Sequence, residues 1–174
     1  ECIDADDSLQ QLVCFSLEDQ EFAFHHQDVQ EIVRVPAEIS QLPESAPAVL
    51  GLVNLRGRII PIVDLSNAIG MMPTQINETS RIVVTQNTDF GSVGFIVAKV
   101  SNVVSISETE LESVPSVCND GAESGLLEAV YRSDGGKRLV SIINLPNIYG
   151  RALMSALTSI DDDIKQESQM SESN

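Results

Sequence analysis

The sequence of 174 residues contains no tryptophan, and aromatic residues make up only 4% of it. Since hydrophobic residues still amount to 43%, the core must be built from aliphatic side chains. No apolar run reaches the roughly 18 residues that a membrane span needs, and no basic segment precedes an apolar one. The sequence therefore predicts neither membrane insertion nor export. Its length predicts one domain, or two small lobes that share an interface.

Basic residues are also scarce, with 10 Lys and Arg against 26 Asp and Glu and a net charge of −16. Binding to nucleic acid depends on basic side chains that displace counterions from phosphates, so this composition excludes it as a partner. Half of the excess charge lies in residues 1–10 and 161–174, which carry −4 each. Both ends are polar and acidic, which predicts solvated tails around a folded region at 11–160.

The sequence has few residues suited to metal binding or catalysis. Cys2, Cys14 and Cys118 are widely spaced and form no Cys-x-x-Cys pair, which indicates a reducing compartment and a buried strand position for Cys14. His25 and His26 are adjacent in a predicted strand end, so they point to opposite faces and cannot easily share a ligand. Nucleophile-elbow, phosphate-loop and zinc motifs are missing. The sequence predicts no enzyme, no metal and no other cofactor.

The chain is organised around residues 51–70. Arg56-Gly57 separates the apolar runs 49–55 and 59–65, which predicts a β-hairpin with an arginine on its turn. Pro61 cannot donate to a ladder and predicts an edge, a bulge or a barrel corner. A short helical turn should follow at 66–70, with Asp64 as its cap.

The pattern of elements occurs twice. A hairpin at 11–24 is matched by one at 81–97, and Val29-Gln-Glu-Ile-Val33, which has helical spacing and predicts a one-turn element, is matched by 100–104. Residues 139–150 repeat nearly the same order of apolar, polar and glycine residues as 59–70. The two matches differ slightly in their separation along the chain because the loops differ in length. They predict two similar, interleaved β-lobes, with repeat units at about 11–70 and 81–150. A last helix is predicted at 151–160, docked onto a lobe.

These motifs carry a resemblance to a known family. Gly51-Leu-Val-Asn-Leu-Arg-Gly57 followed by Ile60-Pro-Ile-Val-Asp-Leu65 resembles the signature of the CheW-like domain, the adaptor domain of bacterial chemotaxis. Val29-Gln-Glu-Ile32, the proline-rich 42–47 and Ile96-Val-Ala-Lys-Val-Ser-Asn-Val103 resemble its flanking elements. Ala98 stands where the family usually has aspartate. The resemblance covers about residues 11–150.

The resemblance implies a mainly β fold of two similar five-stranded, SH3-like β-barrel lobes with short helices. It implies a non-catalytic adaptor that couples the cytoplasmic tips of chemoreceptors (methyl-accepting chemotaxis proteins) to a chemotaxis histidine kinase. The receptor tip would lie in the groove between the lobes, and the kinase regulatory domain would bind the barrel ends. The implied location is the cytoplasm, at membrane-associated receptor arrays.

The resemblance also implies a set of partner-binding residues: Val29, Glu31, Gly51, Arg56, Val100 and Val103. The residues themselves leave structural alternatives open. The valines could belong to the core, and Gly51 could serve a close approach of strands. Arg56 could pair with Glu31 or Asp64 and stabilise the hairpin.

Two further interpretations of the whole chain are open. Because it begins without methionine, it could be the CheW-like domain of a longer protein, such as a CheV-like adaptor with a receiver domain or a fusion to a kinase or receptor. The acidic, Ser-rich end at 161–174 is instead typical of a natural terminus. The domain could also be a scaffold for a two-component system outside chemotaxis.

Overall fold

The computed structural model of the protein describes residues 9–41, 49–87, 91–114 and 125–150. The predicted 161–174 tail, the link at 42–47 and the helix at 151–160 lie outside these ranges, as do Cys2 and Cys118. Of the predicted N-terminal tail, residues 9 and 10 already belong to the first strand.

β-strands dominate the described residues. They are β1 Leu9–Leu17, β2 Gln20–His25, β3 Val29–Arg34, β4 Val49–Leu55, β5 Arg58–Asp64, β6 Arg81–Asn87, β7 Gly91–Val97, β8 Lys99–Ser107, β9 Leu111–Glu112, β10 Leu127–Ser133 and β11 Arg138–Ile143. Short helical segments occupy His26–Asp28, Leu65–Ala68, Glu108–Glu110, Asp134–Gly136 and residues 145–150.

The strands form two sheets, in the orders β8-β1-β2-β11-β10-β9 and β3-β6-β7-β5-β4. The predicted mainly β, two-lobed fold is confirmed, with five strands in one lobe and six in the other because the short β9 adds an edge. The two lobes are interleaved, since neither sequence repeat builds one lobe by itself. Hairpin β1–β2 of the first repeat joins β8 to β11 of the second, and hairpin β6–β7 of the second joins β3 to β5 of the first.

The repeat is visible in the strand registers. Ala23 of β2 lies opposite Ile142 of β11 in a parallel pair, and Gly94 of β7 lies opposite Ile62 of β5 in the same way. The sequence repeat relates Ala23 to Gly94 and Ile62 to Ile142, so the two pairs correspond to one another. The exchanged hairpins therefore occupy equivalent places in the two sheets.

Residues 29–33 were predicted as a helical turn, and this is wrong. Val29–Arg34 is β3, while the helical turn is the preceding His26–Asp28. The valines and isoleucine of this segment fit a pleated strand, and a bulge after Val29 explains why their spacing resembles that of a helix. The matching 100–104 also lies inside a strand, β8.

Three apolar clusters hold the fold together. The central cluster draws on both sheets and on the two helical segments that follow β5 and β11; it includes Phe15, Phe24, Val63, Val83, Phe95, Leu145 and Ile148. Each sheet has a smaller cluster on its other face, around Leu12, Ala23 and Ile142 in one case and Ile62, Ile82 and Ile96 in the other. Successive strand residues therefore alternate between the junction and a lobe's own interior.

The predicted details of residues 51–70 are largely confirmed. Asp64 caps the Leu65–Ala68 helix by accepting from the Ser66 amide, and it also accepts from the amide and hydroxyl of Thr74. Pro61 lies in an inner strand, but the parallel register of β5 with β7 begins only at Ile62. Pro61 therefore pairs with Leu52 of β4 and precedes the first residue paired with β7, so the prediction of an edge position is wrong.

Candidate protein-binding site

Arg56 and Glu31 form an ion pair, with 2.9 Å between Nη1 and Oε2. Glu31 lies on β3 and Arg56 follows β4, which are the two edge strands of the five-stranded sheet. Because the pair joins opposite edges, the sheet must curl back on itself. The Arg56 side chain remains 77% exposed and that of Glu31 22% exposed. An ion pair as exposed as this one contributes at most about 1 kcal/mol to the stability of the fold. Because the Arg56 side chain is so exposed, most of the N–H donors of its guanidinium are accessible to another protein.

The turn presents Arg56 at a conformational cost. Arg56 has φ of 53° and Gly57 φ of 84°, as a two-residue hairpin turn with positive φ at both positions requires. The Oδ1 atom of Asn54 accepts from the Gly57 amide at 3.1 Å. A non-glycine residue in this conformation costs about 1–2 kcal/mol, and asparagine or glycine suits the first position better. The turn itself does not call for arginine, which favours a recognition role.

Gly51 is a buried residue of β4, the first strand of this hairpin. It has φ of 152°, lies at a bulge in β4, and a Cβ added there would be 2.2 Å from the backbone oxygen of Ser40. Ser40 and Leu52 exchange two backbone hydrogen bonds of 3.0 and 2.7 Å next to it. The close-approach interpretation of Gly51 is therefore confirmed. Gly51 positions the β4–β5 hairpin and does not itself offer a contact surface.

The three predicted valines differ in burial. Val29 and Val100 are half-buried and pack against the central cluster, one from each sheet's edge strand. These two valines are therefore partly core residues, as the structural alternative predicted. Val103 is 53% exposed, so the core interpretation is wrong for it.

Strand pairing shows which way the exposed apolar residues point. Val103 lies opposite the buried Val13, and Ile32, which is 39% exposed, lies opposite Val83 of the central cluster. Residues directly opposite in antiparallel strands share a face. Ile32 and Val103 therefore lie on the face that meets the other sheet, at its exposed rim. We call Val29, Ile32, Val100 and Val103 the junction surface.

The six predicted residues thus form two groups. The two members on β3, Val29 and Glu31, lie on opposite faces of that strand because of the bulge between them. Glu31 lies opposite Val84, which belongs to the interior cluster of its own lobe, while Ile32 faces the junction. The structure brings Glu31 and Arg56 together, and it places the three valines on the junction surface. Ile32 was missed by sequence reasoning, although it matches Val103 in the sequence repeat.

A buried polar contact fixes the junction next to Val29. Thr85, opposite Val29 in the ladder, is hydrogen-bonded to the hydroxyl of Tyr149 on the helical segment at 145–150. Because the Thr85 hydroxyl donates to the Val93 carbonyl at 3.1 Å, the Tyr149 hydroxyl is the donor of the shared bond. Burial raises the pKa of Tyr149, and the charge of Asp28 raises it further.

A second pair of exposed apolar residues lies near the tips of two hairpins. Ile59 of β5 is 69% exposed and Leu139 of β11 is 59% exposed. They occupy matching positions in the two sequence repeats, so each lobe carries one. The run 59–65 is apolar at successive positions and therefore predicts a strand buried on both faces, which is wrong at Ile59.

No helix in the described part of the chain is long and apolar enough to cross a membrane. Within the same residues, no three His, Cys, Asp or Glu side chains are grouped so that they could hold a metal ion.

Comparison with known proteins agrees with this architecture. The model of the CheW-like domain family matches residues 11–152. The chemotaxis protein CheW of Rhizobium meliloti (strain 1021) is 30% identical over 139 residues, which cover 80% of this chain and 86% of that protein. The crystal structure of the scaffolding protein TtCheW from Thermoanaerobacter tengcongensis superimposes with a TM-score of 0.70 at 27% identity, covering 80% of this chain and 87% of the other.

A longer protein contains a similar region. The chemotaxis protein CheV3 of Helicobacter pylori is 27% identical over 120 residues, which cover 69% of this chain but 38% of that protein.

Two interleaved β-lobes around a shared apolar core define the class of protein, a two-lobed β-domain like that of the scaffolding protein TtCheW. Since the family model spans nearly all of the described residues, this chain belongs to the CheW-like domain family.

Proposed function

We propose that this protein is a non-catalytic adaptor that couples the cytoplasmic tips of chemoreceptors to a chemotaxis histidine kinase. The observation that carries the proposal is the exposed Arg56–Glu31 ion pair on one face of β3, with Ile32 of the junction surface on the other, in a chain of the CheW-like family. One relative is named as a chemotaxis protein and another as a scaffolding protein. The proposed place of action is the cytoplasm, at membrane-associated receptor arrays.

The receptor tip would bind along the junction surface. A helical bundle presents apolar ridges, and the junction surface offers a matching apolar strip with residues from both lobes. Glu31 and Arg56 lie on the opposite face of the edge strand β3 and would fix the register of the receptor helix through charge-assisted hydrogen bonds. Gly51 would act indirectly, by holding the hairpin that carries Arg56. A patch of this kind supports dissociation constants of about 1 μM, so valency within an array would supply the cooperativity.

The kinase would bind elsewhere on the domain. Ile59 and Leu139 expose apolar side chains near the hairpin tips of the two lobes. Because one of these two residues lies on each lobe, the adaptor domain could bind a kinase regulatory domain of the same fold on each side, one through each lobe. This arrangement supports alternation of adaptor and kinase regulatory domain in an extended assembly.

The test is a titration of the full chain with a receptor tip fragment, comparing wild type with Arg56→Ala and recording thermal melts of both. Arg58→Ala is the matched control, since Arg58 is a nearby exposed arginine that forms no ion pair within the described part of the chain. We expect Arg56→Ala to weaken binding by about 1–3 kcal/mol at an unchanged melting temperature, and Arg58→Ala to bind normally.

Other outcomes would change the proposal. A well-folded wild type that binds neither the receptor tip nor the kinase regulatory domain at tens of micromolar would refute it. Normal kinase binding without receptor binding would indicate a scaffold for a different two-component system.

A second candidate is the adaptor domain of a longer, CheV-like protein with a receiver domain. The similarity to CheV3 favours it, because that match covers most of this chain and a minor part of the relative. The complete reading frame of the gene distinguishes the two: a receiver domain encoded in the same frame would establish the CheV-like form.

A further inference from the structure

Arg34 of β3 and Arg81 of β6 lie directly opposite one another in an antiparallel pair. Side chains in this relationship have Cβ atoms about 4.5–5.5 Å apart, and like charges at this separation destabilise a sheet. Within the described ranges neither arginine forms an ion pair with a carboxylate. The chain has 26 acidic residues against 10 basic ones, so the stability of the sheet does not account for two facing positive charges that no carboxylate neutralises.

Both side chains leave the sheet on the face that carries the junction surface. Arg81 also lies opposite Val97 of the central cluster, in the pair between β6 and β7. Arg34 follows Ile32 by two residues, and side chains along a strand alternate between its faces. The two arginines therefore extend the junction surface by about 7 Å beyond Ile32, at the end that belongs to the five-stranded sheet.

The guanidinium of Arg81 is held in a fixed position. Its Nη1 atom donates to the backbone oxygens of Glu78 and Ser80, at 2.8 Å in each case. Its Nε and Nη2 atoms, like the guanidinium of the exposed Arg34, donate to no acceptor within the part of the chain that the structure describes. These donors suit a carboxylate, whose two oxygens can accept from one guanidinium or from both.

The corresponding place in the other lobe is neutral. The repeat that matches 29–33 with 100–104 puts Ser105 in the position of Arg34. Ser105 lies opposite Gln11, which therefore occupies the position of Arg81. On the junction face the apolar residues match pairwise between the lobes, so they would hold an apolar ridge about equally well in either direction. The two arginines make the ends of this surface different.

We infer that Arg34 and Arg81 bind a carboxylate of the receptor tip and thereby fix the direction in which its helix lies across the junction surface. This inference rests on the proposed function, and it adds the chemistry that the bound helix must carry. A separation of about 7 Å from Ile32 is a little more than one helical turn of 5.4 Å. The carboxylate should therefore belong to an Asp or Glu three or four positions from the apolar residue that covers Ile32.

The first experiment is an isothermal titration of the full 174-residue chain with the receptor tip fragment, at low and at physiological salt. We expect Arg34→Gln to weaken binding about tenfold, because it removes charge-assisted donors, and the difference should shrink as salt is raised. The melting temperature should stay the same or rise, since the opposition of like charges is relieved. Arg58→Gln, the control, removes the same charge from an exposed position on β5 and should bind as wild type does.

A double-mutant cycle identifies the carboxylate. Each Asp and Glu of the fragment is changed in turn to Asn or Gln, and each altered fragment is titrated with wild type and with Arg34→Gln. One position should show about a tenfold loss with wild type and little further loss with Arg34→Gln. Additive losses at every acidic position would contradict direct binding of a carboxylate by this pair.

Transferring the charges to the other lobe tests the direction of the helix. The transfer variant carries Arg34→Ser, Arg81→Gln, Gln11→Arg and Ser105→Arg. A nitroxide at one end of the fragment broadens the NMR signals of the nearer lobe, so with wild type it should affect either Ile32 or Val103 more strongly. With the transfer variant the stronger effect should move to the other of these two residues. An unchanged pattern in a folded transfer variant would show that the arginines do not set the direction.

The outcomes separate this inference from the proposed function. A wild type that does not bind the fragment would refute both. Binding by wild type with equal affinity for a folded Arg34→Gln would overturn the inference alone. Tighter binding by Arg34→Gln would also overturn it, since the arginines would then hold a competing acidic group, such as the chain's own end at 161–174.

Discussion

The hydroxyl groups of Thr85 and Tyr149 share a buried hydrogen bond that joins the five-stranded sheet to the helical segment following β11. Both residues are almost completely buried, with Thr85 0% and Tyr149 2% exposed. The Tyr149 ring also lies 5.8 Å from that of Phe95, at the centre of the shared core. The two lobes are therefore joined by a polar contact inside an otherwise apolar cluster.

Tyr149→Phe should destabilise the protein. Thr85 keeps its bond to the Val93 carbonyl but loses the donor from Tyr149, at an expected cost of about 0.5–1.5 kcal/mol in the free energy of unfolding. Chemical denaturation measures it. Tyr131→Phe is the control, since Tyr131 is half-buried on β10 and its hydroxyl makes no hydrogen bond within the described residues.

The raised pKa of Tyr149 has a pH consequence. The folded protein holds the phenolic proton more tightly than the unfolded chain, whose tyrosines titrate near the ordinary value of 10.0. Stability should therefore fall as the pH rises above about 10, and this part of the loss should be absent in Tyr149→Phe. Equal losses in the two proteins would show that Tyr149 is not the group responsible.

Gly51→Ala should prevent normal folding of the hairpin region. A Cβ at this position would be 2.2 Å from the Ser40 backbone oxygen, and we expect a loss of about 2–4 kcal/mol in stability. Gly57→Ala meets no atom within 4 Å and should cost only about 1 kcal/mol, from its positive φ. Thermal melts compare them. A Gly51→Ala protein that melts normally but fails to bind a partner would contradict a purely structural role.

Ile32→Ser should weaken receptor binding without loss of stability. The side chain is exposed at the rim of the junction, so a receptor helix covering that surface would bury it on binding, and we expect about a tenfold loss of affinity. Ile76→Ser is the control, because Ile76 is 49% exposed on the loop between the Leu65–Ala68 helix and β6. Equal effects of the two substitutions in a titration would remove Ile32 from the proposed interface.

Ile59→Glu and Leu139→Glu should each reduce binding to a kinase regulatory domain while receptor binding persists. A charge placed in an apolar contact is costly, whereas both positions are exposed in the isolated domain. Met72→Glu, at a residue that is 74% exposed elsewhere, is the control. If the kinase domain binds both variants as tightly as wild type, the hairpin tips are not its contact.

Much of the fold could be predicted from local signals. Glycine between β-branched runs predicted the hairpin at Arg56-Gly57, and the internal repeat predicted equivalent lobes whose registers the structure confirms. The helical turn expected at 29–33 was wrong because a bulge after Val29 gives a strand the spacing of a helix. Residues 29–34 form a strand because they pair with β6, which is distant in the sequence.

The candidate site shows the same division. A family resemblance selected the six residues, yet their arrangement depends on which face of β3 each side chain occupies. A single-residue bulge reverses that facing, so Glu31 turns toward Arg56 while Ile32 turns to the junction. Ile32 could have been found from its correspondence to Val103, but its exposure could not.

The sequence by itself determined the hairpins, the turn that presents Arg56 and the twofold repetition, because these follow from side-chain branching, glycine and spacing along the chain. Only the tertiary structure decided which hairpins the interleaved repeats exchange, that Gly51 is needed for contact with Ser40, and that the predicted site has two faces. Those features depend on pairing between segments far apart in the chain, and no local preference encodes which distant strand a hairpin joins.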